Sequence, residues 1–179
     1  MQVFNEINNE HASFMREQKI FFTGTAGKVS RVNISPKAMD TFRILSPNLV
    51  GYLDHTGSGN ETAAHLLEDR RITVMFCSFD KRSLILRVFG QGRSIYPSDD
   101  NWRNYILHFE QALGQRKIVL ISVDRVQTSC GFAVPIYEFI EGRDVLCRWA
   151  EMKGTEGLKT YRTQKNQISI DGLPTGHTE

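Results

Sequence analysis

The sequence lacks the features that mark several large classes of protein. Its three cysteines form no C-x-x-C pair, and its five histidines show no H-E-x-x-H or similar spacing. We therefore expect neither a disulfide framework nor a metal site. No apolar run approaches the ~20 residues of a membrane-spanning helix. The first residues include Asn, Glu and His, where a secretory signal would be continuously apolar. These absences predict a cytoplasmic protein without a membrane segment.

Net charge and chain length narrow the possible classes of protein further. The formal net charge is only +2, and the lysines and arginines are scattered along the chain, which argues against a nucleic-acid surface. With 179 residues, 40% of them hydrophobic, the chain is long enough for one domain with a substantial core. We expect a single domain over residues 1–179, with a helical C-terminal extension from residue 141 onward.

The most informative segment lies between residues 49 and 70. A short apolar strand at 49–53 precedes five small or polar residues at 56–60, and a helical pattern follows at 61–70. A strand, a glycine-rich turn and a helix N-terminus together leave backbone N–H groups unbonded, which favours an anion such as phosphate. An alternative of equal weight is an S-x-x-E capping box of Ser58 and Glu61, which needs no ligand.

The glycines of this turn restrict the kind of phosphate ligand. No Gly-Lys-Ser/Thr follows Gly57, Ser58 and Gly59, so the turn is not a P-loop. Thr62 stands where the dinucleotide fingerprint has its third glycine. A nucleoside triphosphate or NAD is therefore not expected here, and a single phosphate fits better.

A second segment, residues 31–37, carries a polar face that suits the same ligand. Read as a strand of period two, it places Asn33, Ser35 and Lys37 on one side. An amide, a hydroxyl and a cation in a row can bind a phosphorylated molecule, although a solvated sheet face looks the same in sequence. Pro36 cannot donate to a sheet ladder, so this strand lies at an edge or ends there.

Together these segments resemble the pyridoxamine 5'-phosphate oxidase-like, FMN-binding split-barrel proteins and, more narrowly, a bacterial branch of them. The resemblance covers nearly the whole chain from Phe14 to Pro174. The blocks that carry it are N-I-S-P-K at 33–37, Y-L-D at 52–54, T-G-S-G-N-E-T at 56–62, M-F-C-S-F at 75–79, I-L-R-V-F-G at 85–90 and S-I-D-G-L-P at 169–174.

The resemblance implies a mainly β fold with α, a six-stranded split β-barrel with peripheral helices, which binds FMN. It also implies a homodimer with the flavin at the subunit interface. The strand predicted at 72–79 supports a dimer, because both of its faces are apolar and one small barrel core cannot hide both.

Periodicity and turn residues predict the other elements along the chain. Gly90 and Gly92 are expected to mark a bulge or tight curvature in a long strand, and residues 175–179 are expected to be loose. The predicted helices are 9–18, 61–70, 98–113, 141–153 and 155–165, with glycines at the last break. The predicted strands are 20–25 and 28–35 as a hairpin, then 49–53, 72–79, 84–95 and 117–126, with a short extended segment at 132–140.

A flavin site needs a phosphate pocket, hydrogen bonds to the ring edge and an apolar wall. For the phosphate we expect the turn and Lys37, and for the ring edge the backbone at 52–54 with Asn33 and Ser35. Gln91 resembles a position near the flavin in relatives, and Trp149 can wall the ring from a neighbouring subunit. The alternative for Gln91 is an exposed strand residue without a ligand, and the alternative for Trp149 is packing within its own predicted helix. The expected cofactor-binding residues are Asn33, Ser35, Lys37, Tyr52, Leu53, Asp54, Thr56, Gly57, Ser58, Gly59, Asn60, Thr62, Gln91 and Trp149.

The chain departs from the oxidases at the phosphate site. In those enzymes a basic pair follows the equivalent of 52–54, whereas here the small residues 58–62 stand in its place. This departure predicts that neutral N–H and O–H donors replace charge and that Lys37 is the main cation. His55 and Cys130 are reactive side chains without a visible partner, so no catalytic residue is assigned.

The expected function is an FMN-dependent oxidoreductase that acts on a small molecule, with nicotinamide as one candidate electron donor. The alternatives are a flavin-binding or redox-sensing protein without turnover and a ligand-free interaction barrel. A deazaflavin or haem replaces FMN in some relatives. Efficient oxidation of pyridoxamine 5'-phosphate is not expected, because residues 164–174 lack the arginine and histidine that hold that substrate's phosphate in the oxidases.

Overall fold

In the part of the chain that the structure describes, a single antiparallel sheet of eight strands forms the body of the protein, with four helices around it. The computed structural model describes residues 1–177. The elements in chain order are β1 (Gln2–Phe4), α1 (Asn9–Glu17), β2 (Phe21–Thr25), β3 (Asn33–Lys37), β4 (Phe42–Ser46), β5 (Leu49–His55), α2 (Glu61–Glu68), β6 (Arg71–Cys77), β7 (Leu84–Ile95), α3 (Trp102–Ile106), β8 (Gln115–Cys130) and α4 (Val145–Lys165).

The sheet curls into a barrel that is open on one side. Its strand order is β3-β2-β6-β7-β8-β5-β4, and β1 pairs with the far end of β8. The rings of Phe21 in β2 and Phe42 in β4 lie 5.3 Å apart across the interior, so the two ends of the sheet approach each other. The gap between β3 and β4 is the split. This architecture confirms the expected split barrel with peripheral helices.

The barrel has eight strands, whereas six were expected, because β1 and β4 were not predicted. β1 has only three residues, and β4 (F-R-I-L-S) shows no alternation of apolar and polar side chains. The strand predicted at 28–35 is also shifted, since β3 begins at Asn33 after an irregular loop. No helix among residues 1–177 combines the length and apolar composition that crossing a membrane requires.

Two hydrophobic cores lie on opposite faces of β8. The larger core fills the barrel and includes Phe14, Tyr52 and Phe76. The smaller core packs α3 against the outer face of β5 and β8, with Leu53, Ile106 and Ile118 at its centre. Because β8 is buried on both faces, its sequence is a nearly continuous apolar run from Ile118 to Ile121.

The pairing of β7 with β8 is irregular at a glycine of β7. The register between β7 and β8 shifts between Phe89 and Gly90. A Cβ atom at Gly90 would lie 2.1 Å from the carbonyl oxygen of Ser122, so no larger residue fits without moving the backbone. The irregularity predicted at the glycines is therefore present at Gly90, but its extra residue is Asp124 of β8, because Phe89 pairs with Arg125 and Gly90 pairs with Val123.

Several predicted helices differ from the observed ones. The helix expected at 98–113 shortens to α3, because the chain must turn into β8 and Gly114 adopts a left-handed φ of 93°. Residues 132–140 form no strand, and α4 begins at Val145 rather than at residue 141. The break in α4 is confirmed at Gly154, where φ is 62°. The expectation of a loose tail is wrong at Thr175 and His177, which are buried; residues 178–179 lie outside the described residues.

Candidate functional site

A cavity of about 440 Å³ opens at the split of the barrel. It lies between β3, the end of β5 and the glycine turn, beneath Leu146 in the first turn of α4. This position brings together most of the residues expected to bind a cofactor. Those that line it are Asn33, Ser35, Lys37, Leu53, Asp54, Gly57, Ser58, Gly59, Asn60 and Thr62.

The inner end of the cavity is an ion cluster around Asp54. This carboxylate is buried, and it accepts hydrogen bonds from Lys37 Nζ at 2.5 Å, Arg116 Nη2 at 2.7 Å and Lys117 Nζ at 2.8 Å. Arg116 and Lys117 are themselves only 4% and 1% exposed in their side chains. We call these four residues the Asp54 cluster. Three cations around one carboxylate give the cluster a formal charge of +2.

A β-bulge explains how two consecutive residues of β8 reach the same carboxylate. Lys117 pairs with Asp54 and Gln115 pairs with His55, so Arg116 is the extra residue between them. In a regular strand Arg116 and Lys117 would point to opposite faces. The bulge rotates Arg116 toward the cavity side, which concentrates both charges at one place.

The electrostatics of the cluster are those of a site with excess positive charge. Burial opposes ionisation of Asp54, but the charges of Lys117, Lys37 and Arg116 hold its pKa well below the usual range. Burial, with the nearby Arg116, lowers the pKa of Lys117 to about 7. His55 lines the same cavity, and burial lowers its pKa as well. A second anion in the cavity would relieve the repulsion among the cations.

One donor of Arg116 supports this interpretation. Its Nε is buried and has no hydrogen-bond partner among the described residues, although its Nη atoms are bonded. A buried N–H without a partner costs free energy comparable to a lost hydrogen bond. Because Arg116 lines the cavity, a bound anion is one way to satisfy this donor.

The glycine turn does not form the capping box. Asn60, not Ser58, is the N-cap of α2, and its side chain caps no backbone N–H. It instead accepts from Lys117 Nζ and donates to the carbonyl oxygen of Asn166. The Glu61 carboxylate accepts from the backbone N–H of Ile170. The side chains of Asn60 and Glu61 are thus engaged with other segments, and the helix start borders the cavity.

The polar face of β3 forms one wall of the cavity, as predicted from its period of two. Asn33 Nδ2 donates to the hydroxyls of Ser35 at 3.1 Å and Thr62 at 3.3 Å. This link joins β3 to the first turn of α2. The cavity is also lined by less polar residues, which are Pro36, Ala38, Met39, Leu53 and Leu146.

Four of the expected cofactor-binding residues do not line the cavity. Tyr52 is fully buried in the main core, where burial raises the pKa of its hydroxyl. Thr56 is buried and donates to the carbonyl oxygen of Gly114. Gln91 is exposed on β7. Trp149 packs edge-on against Tyr161 of its own helix, with ring centroids 5.0 Å apart.

Sequence reasoning missed the strongest part of the site. Lys37 was expected as the main cation among neutral donors, and the structure adds Arg116 and Lys117 beside it at the cavity. Asn166, which is completely buried and bonded to Arg116, was also missed. Two basic residues before the apolar run of β8 were a visible signal, but the pairing of β5 with β8 was needed to give it meaning.

Comparisons with known proteins agree with this fold and with the resemblance of the sequence motifs. The sequence model of the family described as pyridoxamine 5'-phosphate oxidase matches residues 7–130. The pyridoxamine 5'-phosphate oxidase family protein ustO of Aspergillus flavus is 35% identical over an alignment of 197 residues. The alignment covers 99% of this chain and 79% of that protein. This relative is fungal, so it supports the family and not the narrower bacterial branch.

Solved structures share the fold at low sequence identity. A Lactobacillus delbrueckii protein provisionally described as a pyridoxamine 5'-phosphate oxidase matches with a TM-score of 0.57 and 15% identity, over 71% of this chain and 99% of that one. A tagged single-residue variant of HupZ from Group A Streptococcus matches with a TM-score of 0.55 and 17% identity, over 69% and 99%. The family match and the 35% identical relative together show that the chain belongs to the pyridoxamine 5'-phosphate oxidase family.

Proposed function

We propose that this protein binds one FMN per chain in the cavity at the split and acts as an oxidoreductase on a small molecule. The observation that carries the proposal is the Asp54 cluster. Its formal charge of +2 matches the two negative charges of a phosphate monoester, and its cations are held in place by burial and by Asp54.

The residues of the cavity fit the three parts of FMN. The Asp54 cluster, the glycine turn and the start of α2 suit the phosphate, since charged donors and helix N–H groups both favour anions. Asn33, Ser35 and the backbone at 53–54 offer hydrogen bonds to the ring edge. Met39 and Leu146 supply apolar surface for a ring face. The volume of about 440 Å³ lies within the range of ligand pockets, roughly 300–1,000 Å³.

A bound flavin supplies the electron and hydride transfer itself, so the protein needs only to position it and set its electrostatic surroundings. In this chain the cations would anchor one end of the ligand, and the β3 wall would orient the other. Two titratable side chains outside the ion cluster line the cavity, His55 and Glu61. Glu61 is bonded to the backbone of Ile170 in the tail. With its pKa lowered, His55 is neutral at pH 7 and can accept or donate a hydrogen bond.

The absorbance spectrum of the purified protein tests the proposal. A yellow protein that releases one FMN per chain on denaturation supports it, and a colourless protein that takes up no FMN contradicts it. Chromatography of the released pigment distinguishes FMN from a deazaflavin or haem. Anaerobic reduction by NADH or NADPH, followed by screening of small-molecule substrates, then separates an oxidoreductase from a flavin-binding or redox-sensing protein without turnover.

We also propose a homodimer in the cytoplasm. Large apolar side chains are exposed at the β3 edge, where Ile34 is 69% exposed, and in the segment before α4, where Phe132 and Ile140 are 84% and 87% exposed. A two-fold dimer would cover such patches on both subunits. Cys130 and Cys147 are unpaired thiols that suit a reducing compartment. Light scattering should give twice the chain mass at micromolar concentration, and a flavin-loaded monomer would contradict the dimer.

Pyridoxamine 5'-phosphate is not the expected substrate. Its phosphate needs a second set of charge-assisted bonds beside the flavin. The tail that would supply them is instead bonded to the glycine turn through Asn166, to Glu61 of α2 through Ile170 and to Arg31 through Asp171. Steady-state oxidation at micromolar pyridoxamine 5'-phosphate should therefore be slow, and efficient turnover would point to another basic cluster such as Arg87 and Arg93.

A further inference from the structure

The C-terminal segment 166–177 runs across the back of the cavity and is held there by a dense set of polar contacts. It turns back on itself, with an isolated bridge between Ile168 and Pro174. Thr175 donates from its hydroxyl to the carbonyl oxygen of Asn166 at 2.6 Å. Tyr96 of the loop after β7 donates from its hydroxyl to the carbonyl oxygen of Thr175 at 3.1 Å. We call residues 166–177 the clasp.

Asn166 joins the clasp to the anion end of the cavity. Its Oδ1 accepts from Arg116 Nη1 at 2.8 Å, and its Nδ2 donates to the carbonyl oxygen of Gly57 at 2.9 Å. Its backbone carbonyl oxygen accepts from Asn60 Nδ2 at 2.9 Å. One completely buried side chain therefore fixes a cation and the glycine turn, and the backbone of the same residue fixes the N-cap of α2.

Two further contacts hold the clasp against the same region. The Glu61 carboxylate accepts from the backbone N–H of Ile170 at 3.1 Å, and the Asp171 carboxylate accepts from the backbone N–H of Arg31 at 2.9 Å. The first of these gives a donor to the carboxylate of the α2 first turn, which also lines the cavity. The clasp thus joins the first turn of α2 to the segment before β3.

We propose that the clasp preorganises the phosphate site, with Asn166 as the positioning residue that sets Arg116 and the glycine turn for a bound phosphate monoester. The inference rests on the proposed binding of FMN. Arg116 also donates from Nη1 to the carbonyl oxygen of Gly59, so Asn166 and the turn together fix this nitrogen of the guanidinium. A preorganised donor loses less conformational freedom on binding than a mobile one. Asn166 need not touch the ligand to contribute in this way.

The test compares FMN with riboflavin, which lacks the phosphate. Asn166→Ala removes the bonds to Arg116 and Gly57, while Gln167→Ala changes an exposed neighbour in the same segment. We expect Asn166→Ala to weaken FMN binding by about 10- to 100-fold. Riboflavin binding should change by less than about threefold, because its contacts lie at the other end of the cavity. Gln167→Ala should bind both ligands as the wild type does.

Asn166→Asp provides a second variant of the same shape, in case the alanine variant does not fold. It keeps an acceptor for Arg116 but loses the donor to Gly57 and adds a negative charge, so FMN binding should fall at least as far. Limited proteolysis gives an independent readout. In the wild type, FMN should protect the clasp from cleavage more than riboflavin does, and in the Asn166 variants this difference should disappear.

The outcomes separate this inference from the proposed function. Equal losses of FMN and riboflavin affinity in the Asn166 variants would show that Asn166 has a general structural role. Unchanged FMN affinity in these variants would show that Asn166 does not position the phosphate site. Either result overturns the inference while FMN binding stands. A folded wild-type protein that binds no FMN would overturn both.

Discussion

Two pairs of consecutive basic residues in this chain look alike in sequence and differ completely in structure. Arg70 lies just before β6 and Arg71 is its first residue. The Arg71 side chain is 73% exposed, with Asp69 as its partner at 2.6 Å. Arg116 and Lys117 lie at a bulge in β8, where both are buried and share Asp54 with Lys37. Water can screen the charges of the first pair, whereas the charges of the second pair are buried away from water.

This difference shows where charge has a function. An exposed ion pair is screened by water and salt and contributes ~0–1 kcal/mol to stability. Buried cations in excess of their counter-charge cost free energy, so a protein keeps them where a ligand completes the charge. We therefore expect the ligand at Arg116 and Lys117 and not at Arg70 and Arg71. Variants of the two pairs test this assignment, beginning with the largest effect.

Neutralising the buried pair should nearly abolish FMN binding. Arg116→Met with Lys117→Met keeps an unbranched side chain at each position but removes two charge-assisted donors, each of which contributes about 1.5–3 kcal/mol. Their combined loss corresponds to a Kd that rises by roughly 10²- to 10⁴-fold. Fluorescence titration measures it. The matched control, Arg70→Met with Arg71→Met, should bind FMN with a Kd within about twofold of the wild type. Equal losses of affinity in both variants would contradict the assignment of the ligand to Arg116 and Lys117.

Removing the shared carboxylate should destabilise the ligand-free protein. Asp54→Asn leaves three cations together without a counter-charge, and breaking a buried ion pair in this way costs about 3–5 kcal/mol. Thermal unfolding without ligand should show a lower Tm. Added FMN should raise the Tm of Asp54→Asn by more than it raises that of the wild type, because the phosphate then supplies the missing charge. Asp69→Asn should leave both values almost unchanged, and a similar result for Asp54→Asn would contradict the assignment.

FMN binding should weaken as pH rises from 7 to 9. The pKa of Lys117 is about 7 in the ligand-free protein, so above this pH a bound phosphate must draw a proton onto Lys117. The Kd should therefore rise by up to about tenfold per pH unit. The flavin phosphate, with a second pKa of about 6, is already doubly charged in this range, Asp54 stays ionised and His55 stays neutral. Lys117→Met should flatten the profile, and a steep profile in that variant would assign the proton to another group.

Lys117 should also affect the stability of the ligand-free protein in a defined direction. Its folded-state pKa of about 7 lies below its usual value of 10.5. Between these values the unfolded chain binds more protons at this group than the folded chain, so its contribution to the free energy of unfolding increases with pH. The penalty is complete below pH 7 and is relieved as pH rises toward 10.

The outer part of the anion site should contribute less than the buried pair. Lys37 is 23% exposed in its side chain and Ser58 is exposed, so both are better hydrated in the ligand-free protein. We expect Lys37→Ala with Ser58→Ala to weaken FMN binding by about tenfold, which lowers the flavin content on purification. Undiminished flavin content would remove Lys37 and Ser58 from the site. A loss as large as that of the Arg116 and Lys117 variant would place the phosphate nearer the outer end.

The sequence predicted the elements that are local in the chain. The glycine turn followed by α2 and the alternation of Asn33, Ser35 and Lys37 are local patterns, and both reach the cavity. The Asp54 cluster could not be predicted, because it depends on the register of β5 against β8 and on one bulge at Arg116. Asn166 was missed because a polar residue after a helix usually faces solvent, and only the folded clasp buries it.

The Asp54 cluster is proposed to recognise the phosphate of FMN, and every other assignment at the cavity depends on this one. The most direct test is a parallel titration of flavin-free wild-type protein with FMN and with riboflavin at pH 7. We predict saturation at one FMN per chain and riboflavin binding that is at least about 100-fold weaker, since riboflavin forfeits the charge-assisted bonds. Equal affinity for the two ligands, or no saturable binding of FMN, would contradict it.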